Sequence, residues 1–167
     1  GCHESHNEAT PTGLAIASGK TAQTIHPWYG APRGFSFTRE VQPVLDKYCV
    51  GCHDGKSEDR PDFADSSLGR YGDSNFMQNE MPRSYYELQK FVRRSGPEGD
   101  SRMLVPLNFH ADTSELVQIL SKGHHNVKLD TEAWDRLITW IDLNVPAHGS
   151  YGEMSPNTRA VSFLKRR

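Results

Sequence analysis

An all-α domain with long loops is what the amino-acid order predicts, and three observations carry it. Apolar residues recur at helical spacing in four separate stretches, no stretch alternates convincingly as a strand would, and the segments between are rich in Gly, Pro, Asp and Ser. The chain has 167 residues, which suits one core better than two. Leu, Ile, Val and Phe make up 33 of those residues, close to the level at which aliphatic burial alone struggles to offset the entropy of folding. The expectation is that something besides aliphatic side chains fills the core.

Residues 1–34 hold Pro11, Pro27 and Pro32 and sustain no period, so they read as an irregular N-terminal arm, with Trp28 and Tyr29 available to dock it. A main domain is expected over 35–146. Its first helix places Val41, Val44, Leu45 and Tyr48 on one side, runs into Cys49, and should be shortened or kinked near its start by Pro43. Residues 54–83 form a long connection, unusual in a compact domain unless it wraps an object. Ser84 is expected to cap a helix reaching about Arg94, with Tyr85, Leu88, Phe91 and Val92 on one face and Gly96-Pro97 as its stop. Thr113 or Ser114 opens another, which Gly123 closes. The strongest helix starts at Asp130 or Thr131, carries Trp134, Leu137, Ile138 and Ile141 at i, i+3, i+4, i+7, and ends at Asn144 and Pro146. Residues 147–167 read as a loosely ordered tail.

Net charge is −2 with Lys+Arg 19 against Asp+Glu 21, so no long-range field draws nucleic acid or an anionic membrane surface. No run of eighteen apolar residues exists, which argues against membrane insertion. No signal-peptide pattern opens the chain, so a mature protein or an excised piece is expected.

The chemistry is concentrated in Cys49-Val50-Gly51-Cys52-His53, a C-x-x-C-H pattern that matches covalent c-type haem attachment. Two thiols at this spacing can add to the two vinyl groups of one porphyrin, and the turn that follows brings His53 under the iron as an axial ligand. A dithiol redox site would be expected beside a βαβ pattern, and none is present. A zinc site could recruit Cys49 and Cys52 with two histidines, yet the second pair lacks knuckle spacing. A haem also accounts for the thin aliphatic content and the long loops. The opposite ligand could come from His110, His124, His125, His148 or a methionine. That ligand decides whether the iron is closed for electron transfer or open to a substrate.

The order of helix, C-x-x-C-H, long connection, Ser114-Glu115-Leu116-Val117, a ligand segment, then Leu129 and Trp134 through Trp140-Ile141-Asp142 resembles the planctomycete-type class I cytochrome c domain. In that family the ligand segment usually reads Met-Pro-Pro; here it is Gly123-His124-His125-Asn126-Val127-Lys128-Leu129. The resemblance therefore implies bis-histidine ligation and, because His/Met ligation raises the potential, a lower one. Trp134-Asp135-Arg136-Leu137, Leu143-Asn144-Val145-Pro146 and His148-Gly149 are more similar still to the C-terminal haem domain of proteins related to the hydrazine synthase alpha subunit. That resemblance spans roughly residues 35–152.

Of the two adjacent histidines only one is expected to face the iron, since neighbouring side chains diverge. His124, following Gly123 where the chain must turn, is preferred, leaving His125 to contact Lys122 carbonyls or a propionate. His110 is a rival whose plainer role is a hydrogen bond to Asp112. Met81-Pro82 mimics the usual ligand dipeptide but precedes the wrong helix, so Met81 reads as a core or loop residue. Met77, Met103, Met154 and His148 read as packing or surface residues. The pairs Tyr85-Tyr86 and Trp134 with Trp140 read as core or pocket wall rather than electron routes, and Arg93, Arg94 and Arg102 could neutralise propionates.

Gly1-Cys2-His3-Glu4 repeats the wording of Gly51-Cys52-His53, and would complete a second haem site only if a cysteine precedes it in a longer parent; otherwise Cys2 is an odd thiol. The function expected is electron transfer by one covalent, low-spin, bis-histidine haem c, with no residue assigned acid or base work. The alternative is a haem domain of a larger hydrazine-synthase-like multihaem enzyme, relaying electrons to a site elsewhere. Partners would be a redox protein or other haem domains of the same complex. The compartment would be the periplasm or, in an anammox organism, the anammoxosome.

Overall fold

The computed structural model describes residues 16–69, 81–95 and 105–154. Contacts divide the chain into residues 1–32 and 33–167. In the first unit a short 3-10 turn spans Ile16–Gly19, and Trp28 packs its ring edge-to-face on Tyr29 at 5.1 Å between centroids.

The second unit is mostly helical: α1 (Phe37–Glu40), α2 (Gln42–Tyr48), α3 (Arg83–Leu88), α4 (Glu115–Lys122), α5 (Thr131–Asp142) and α6 (Tyr151–Met154). Strands β1 (Leu68–Gly69) and β2 (Met81–Pro82) pair antiparallel across the ends of residues 70–80. Among the described residues, no helix is long and apolar enough to cross a membrane.

Pro43 does more than kink the first helix. It sits in the first turn of α2, where its missing N–H costs nothing; carried further into one continuous helix, it would lose a bond to the preceding turn. The helix accordingly breaks at Val41 into α1 and α2. The expected cap at Ser84 is not formed either. Helix α3 begins at Arg83, and Ser84 is fully buried, its hydroxyl donating to Gln42 Oε1 at 2.6 Å. Gln42 Nε2 in turn donates to the Phe63 carbonyl at 2.9 Å, so three segments meet on one satisfied polar network. The helix ends early, in a 3-10 turn over Gln89–Phe91, and Arg94 lies beyond it.

Helix α5 follows its expected bounds. Asp130 is the N-cap, its Oδ1 accepting from the Ala133 N–H at 2.8 Å. Leu137, Trp140 and Ile141 are buried against Phe37, Val41, Leu45 and Leu88. Trp140, Phe37 and Tyr85 form an aromatic cluster with centroids 5.3–6.0 Å apart, so Tyr85 and Trp140 serve the core. After α5 the chain turns through left-handed Asn144 (φ 62°) and Val145 (φ 52°). The turn presents three successive carbonyls: Val145 accepts from Tyr85 Oη at 2.8 Å, Pro146 from Trp140 Nε1 at 3.1 Å, and Ala147 from the Phe37 N–H at 3.2 Å.

Of the expected tail over 147–167, residues 147–154 are therefore packed, and residues 155–167 lie outside the described residues. Gly34 and Gly149 touch backbone to backbone; a Cβ on Gly34 would stand 1.8 Å from the Gly149 carbonyl oxygen. Helix α6 is held by Glu153, which pairs with Arg39 at 2.7 Å and accepts from the Gly149 N–H at 2.8 Å.

A buried carboxylate locks the frame. Glu40 is fully buried, and its two oxygens receive Arg33 Nε at 2.6 Å and Nη2 at 2.8 Å, with Arg136 Nη1 of α5 on Oε2. The Arg33 hydrogen bonds outweigh burial and hold the Glu40 carboxyl below the usual carboxylate range.

Candidate haem site

Helix α2 delivers the cysteine motif. Its C-cap is Cys49, and one further helical turn follows, with the Cys52 and His53 N–H groups both donating to the Cys49 carbonyl at 3.1 and 3.0 Å. That turn separates the two thiols along one edge, Cys49 half-buried and Cys52 exposed. Burial pushes the Cys49 thiol up to about 11, so it is a neutral thiol at pH 7.

His53 is fixed from two sides. Its Nδ1 lies 3.1 Å from the Pro61 carbonyl, which assigns the proton to Nδ1 and leaves the Nε2 lone pair free to bind a metal. Phe63 packs on the ring at 4.8 Å between centroids, and the Phe63 N–H donates to the His53 carbonyl at 3.0 Å. Arg60 closes the same loop by donating to the Cys52 carbonyl at 3.1 Å.

The histidine faces a cavity of about 240 Å³. Leu45 and Tyr48 of α2, Leu88 and Phe91, Leu116, Ile119 and Leu120 of α4, and Leu129 and Leu137 make its apolar wall. Leu116, Ile119 and Leu120 are only half-buried although they form the apolar stripe of α4. Their uncovered surface faces the cavity. Tyr48 Oη donates to Asp130 Oδ2 at 2.7 Å, and Lys47 Nζ reaches the same oxygen at 3.0 Å. The carboxylate that caps α5 thereby also anchors the wall beside the cysteines. Those three donors, the Ala133 N–H first, hold the Asp130 carboxyl far below the usual carboxylate range.

Across the cavity stands His124. Its ring centroid is 6.0 Å from that of His53, with the two planes 24° apart. Two metal–imidazole bonds of about 2.0 Å, plus the two ring radii, would span about 6 Å, so this is a separation at which both rings could reach one ion. Burial first, and then the neighbouring His125 and His53, push the His124 imidazole toward its neutral form, the form that ligates.

His125 also lines the cavity, from an exposed position. The expected divergence of the two histidines is thus not complete: the backbone turns between them, with positive φ at His125 (45°) and Asn126 (64°). His110 lies elsewhere, more than half exposed and bonded through Nδ1 to Asp112 at 2.7 Å. His148 is half-buried, its Nε2 enclosed and without a partner. Met81 packs against the core from β2. Arg93 and Arg94 bond to Asn108 and Gln89 rather than reaching into the cavity. Met77, Met103, Arg102 and the Cys2-His3 pair lie outside the described residues, as does the side chain of Met154.

Among the described residues, no three His, Cys, Asp or Glu side chains gather as a metal cluster. Two thiols border an apolar cavity that His53 and His124 also line, a set of groups that could hold a porphyrin by two thioether bonds. The roles of the Pro61 carbonyl and Phe63 were not foreseeable from spacing, because both depend on the loop folding back over His53. In comparisons with known proteins, no family model, no curated protein and no solved structure matches this chain.

Proposed function

We propose that this chain is a c-type cytochrome domain of class I type, carrying one covalent haem c between His53 and His124 and transferring electrons. The observation that carries the reading is the pair of imidazoles 6.0 Å apart across an apolar cavity bordered by Cys49 and Cys52. When bound, the haem supplies a one-electron couple of its iron.

The chain's own residues do the rest. Cys49 and Cys52 hold the group by thioether bonds, and Pro61 keeps the proton of His53 on Nδ1, so that Nε2 remains a lone-pair donor in both oxidation states. Leucines of α4 and α5 exclude water, which favours the less charged, ferrous state, whereas two imidazoles in place of an imidazole and a thioether lower the potential. Two strong protein ligands leave no open position for a substrate, so the reading is outer-sphere transfer to a redox partner or a neighbouring haem domain. Thioether assembly of haem in bacteria takes place outside the cytoplasmic membrane, so this reading assigns the chain to the periplasm or an equivalent compartment.

The test is to express the chain in a host competent for cytochrome c maturation. One haem per chain by pyridine haemochrome, resistant to acid-acetone extraction, with a low-spin absorption spectrum, is expected. Colourless protein, or zinc at one per chain in place of haem, sinks the proposal.

A further inference from the structure

We infer that His125 is a second ligand for the His124 face of the site, held in reserve so that two imidazoles of one loop can serve one coordination position. The inference rests on the haem reading and goes past it, since that reading leaves His125 without a role.

The first support is placement. Both rings line the same cavity, their centroids 4.7 Å apart and their planes at 80°. Consecutive side chains on an extended chain leave opposite sides, so bringing both to one cavity needs a bend between them.

The backbone supplies that bend at a cost. His125 at φ 45° and Asn126 at φ 64° are two successive non-glycine residues in the left-handed region, which L side chains enter reluctantly. The turn is closed by the Val127 N–H on the His124 carbonyl at 2.9 Å. Strain of this kind persists only where the surrounding structure holds it in place, as the turn after α5 does at Asn144 and Val145.

The third support is freedom to exchange. His124 is half-buried, whereas His125 is exposed at the cavity mouth, where its side chain has room to rotate. Gly123 precedes them at φ 96°, with nothing within 4 Å of where a Cβ would stand, so no neighbour crowds the start of the loop on that side. In the exchange one iron–nitrogen bond to His124 breaks and one to His125 forms. Both groups donate a lone pair as neutral imidazoles, and no proton or electron changes place.

The experiment uses the full chain matured with haem, read by absorption and electron paramagnetic resonance. His124→Ala is expected to stay six-coordinate and low-spin, with shifted resonance positions because the new ring is oriented differently. His124→Ala/His125→Ala should lose the low-spin signal and bind carbon monoxide rapidly when reduced, and His125→Ala alone should stay six-coordinate and low-spin through His124. A high-spin iron in His124→Ala overturns the inference, and so does a low-spin iron in the double variant. If His124→Ala does not accumulate with haem, His124→Gln repeats the test. Failure of both to take up haem while His125→Ala matures normally also counts against a reserve ligand. A wild-type chain without haem overturns the haem reading itself, whereas a haem-loaded wild type with a high-spin His124 variant overturns this inference alone.

Discussion

The two imidazoles that face each other are held in opposite ways, and the contrast shows how the site divides its labour. On the His53 side, order comes from bonds: a helical turn from Cys49, the Pro61 carbonyl on Nδ1, Phe63 against the ring, and Arg60 on the Cys52 carbonyl. On the His124 side it comes from backbone shape, a loop with positive φ at Gly123, His125 and Asn126 closed by a single turn hydrogen bond. A face built from many mutual bonds tolerates little substitution and little movement. A face built from a bent loop depends on which residues can adopt the bend, and it can re-form with another ring in place.

The sharpest way to break this comparison is to remove the bonded side. His53→Ala is expected to reduce haem-loaded chain to near background, measured as haemochrome per chain, with a high-spin iron in whatever remains. Among the described residues, no second histidine of the same loop stands beside His53 to replace it. A His53 variant that matures normally and stays low-spin would show that the two faces are equivalent.

Glu40 lies outside both faces and separates frame from site. Replacing it in Glu40→Gln removes the buried charge that Arg33 and Arg136 share, although Arg136 keeps Glu132 at 2.6 Å, and breaking a buried pair of this kind costs about 3 kcal/mol. Urea denaturation should show that loss while the spin state stays unchanged. The pH dependence follows from the direction of the shift. The folded-state carboxyl is depressed, chiefly by the Arg33 hydrogen bonds, so its contribution is complete above the unfolded value of about 4.3 and disappears as pH falls through the lower folded value. The gap between wild type and variant should therefore be constant at neutral pH and close in acid. A gap independent of pH would remove the clamp from the account.

How much of this could be read from residues alone follows the same division between local and distant causes. Helix α5 was legible because its cap, apolar stripe and stop lie within seventeen residues and all agree. Cys49, Cys52 and His53 stand out in the sequence because covalent haem attachment, the chemistry proposed for them, would impose their spacing. The start of α3 was not, since Ser84 has the composition of a cap but is claimed by Gln42, 42 positions away. Helix α6 was missed for a related reason: four residues cannot nucleate alone, and it is Arg39 on Glu153 that holds them. His124 and His125 were legible as a pair and not as individuals. What orders them is a bend of the backbone, and apart from Gly123 and Asn126, both tolerant of positive φ, the residues there do not announce it.

Two glycines turn that last point into a controlled measurement. Gly51, within the cysteine motif, and Gly123, before the histidine pair, both have open space where a Cβ would stand, and they differ in that only Gly123 has a positive φ, of 96°. Neither alanine would collide with a neighbour, so any difference between the two substitutions is conformational. Gly123→Ala should cost roughly 1–2 kcal/mol, the penalty for an L residue in the left-handed region. Gly51→Ala should be neutral or stabilising by about 0.5 kcal/mol, because the unfolded chain loses freedom that the folded turn does not use. The spectra should separate in the same sense, with the resonance positions of the bound iron shifting for Gly123→Ala and holding for Gly51→Ala. Equal effects at the two positions would mean that the loop bend is not what holds His124, and the distinction between a bonded face and a shaped face would fall.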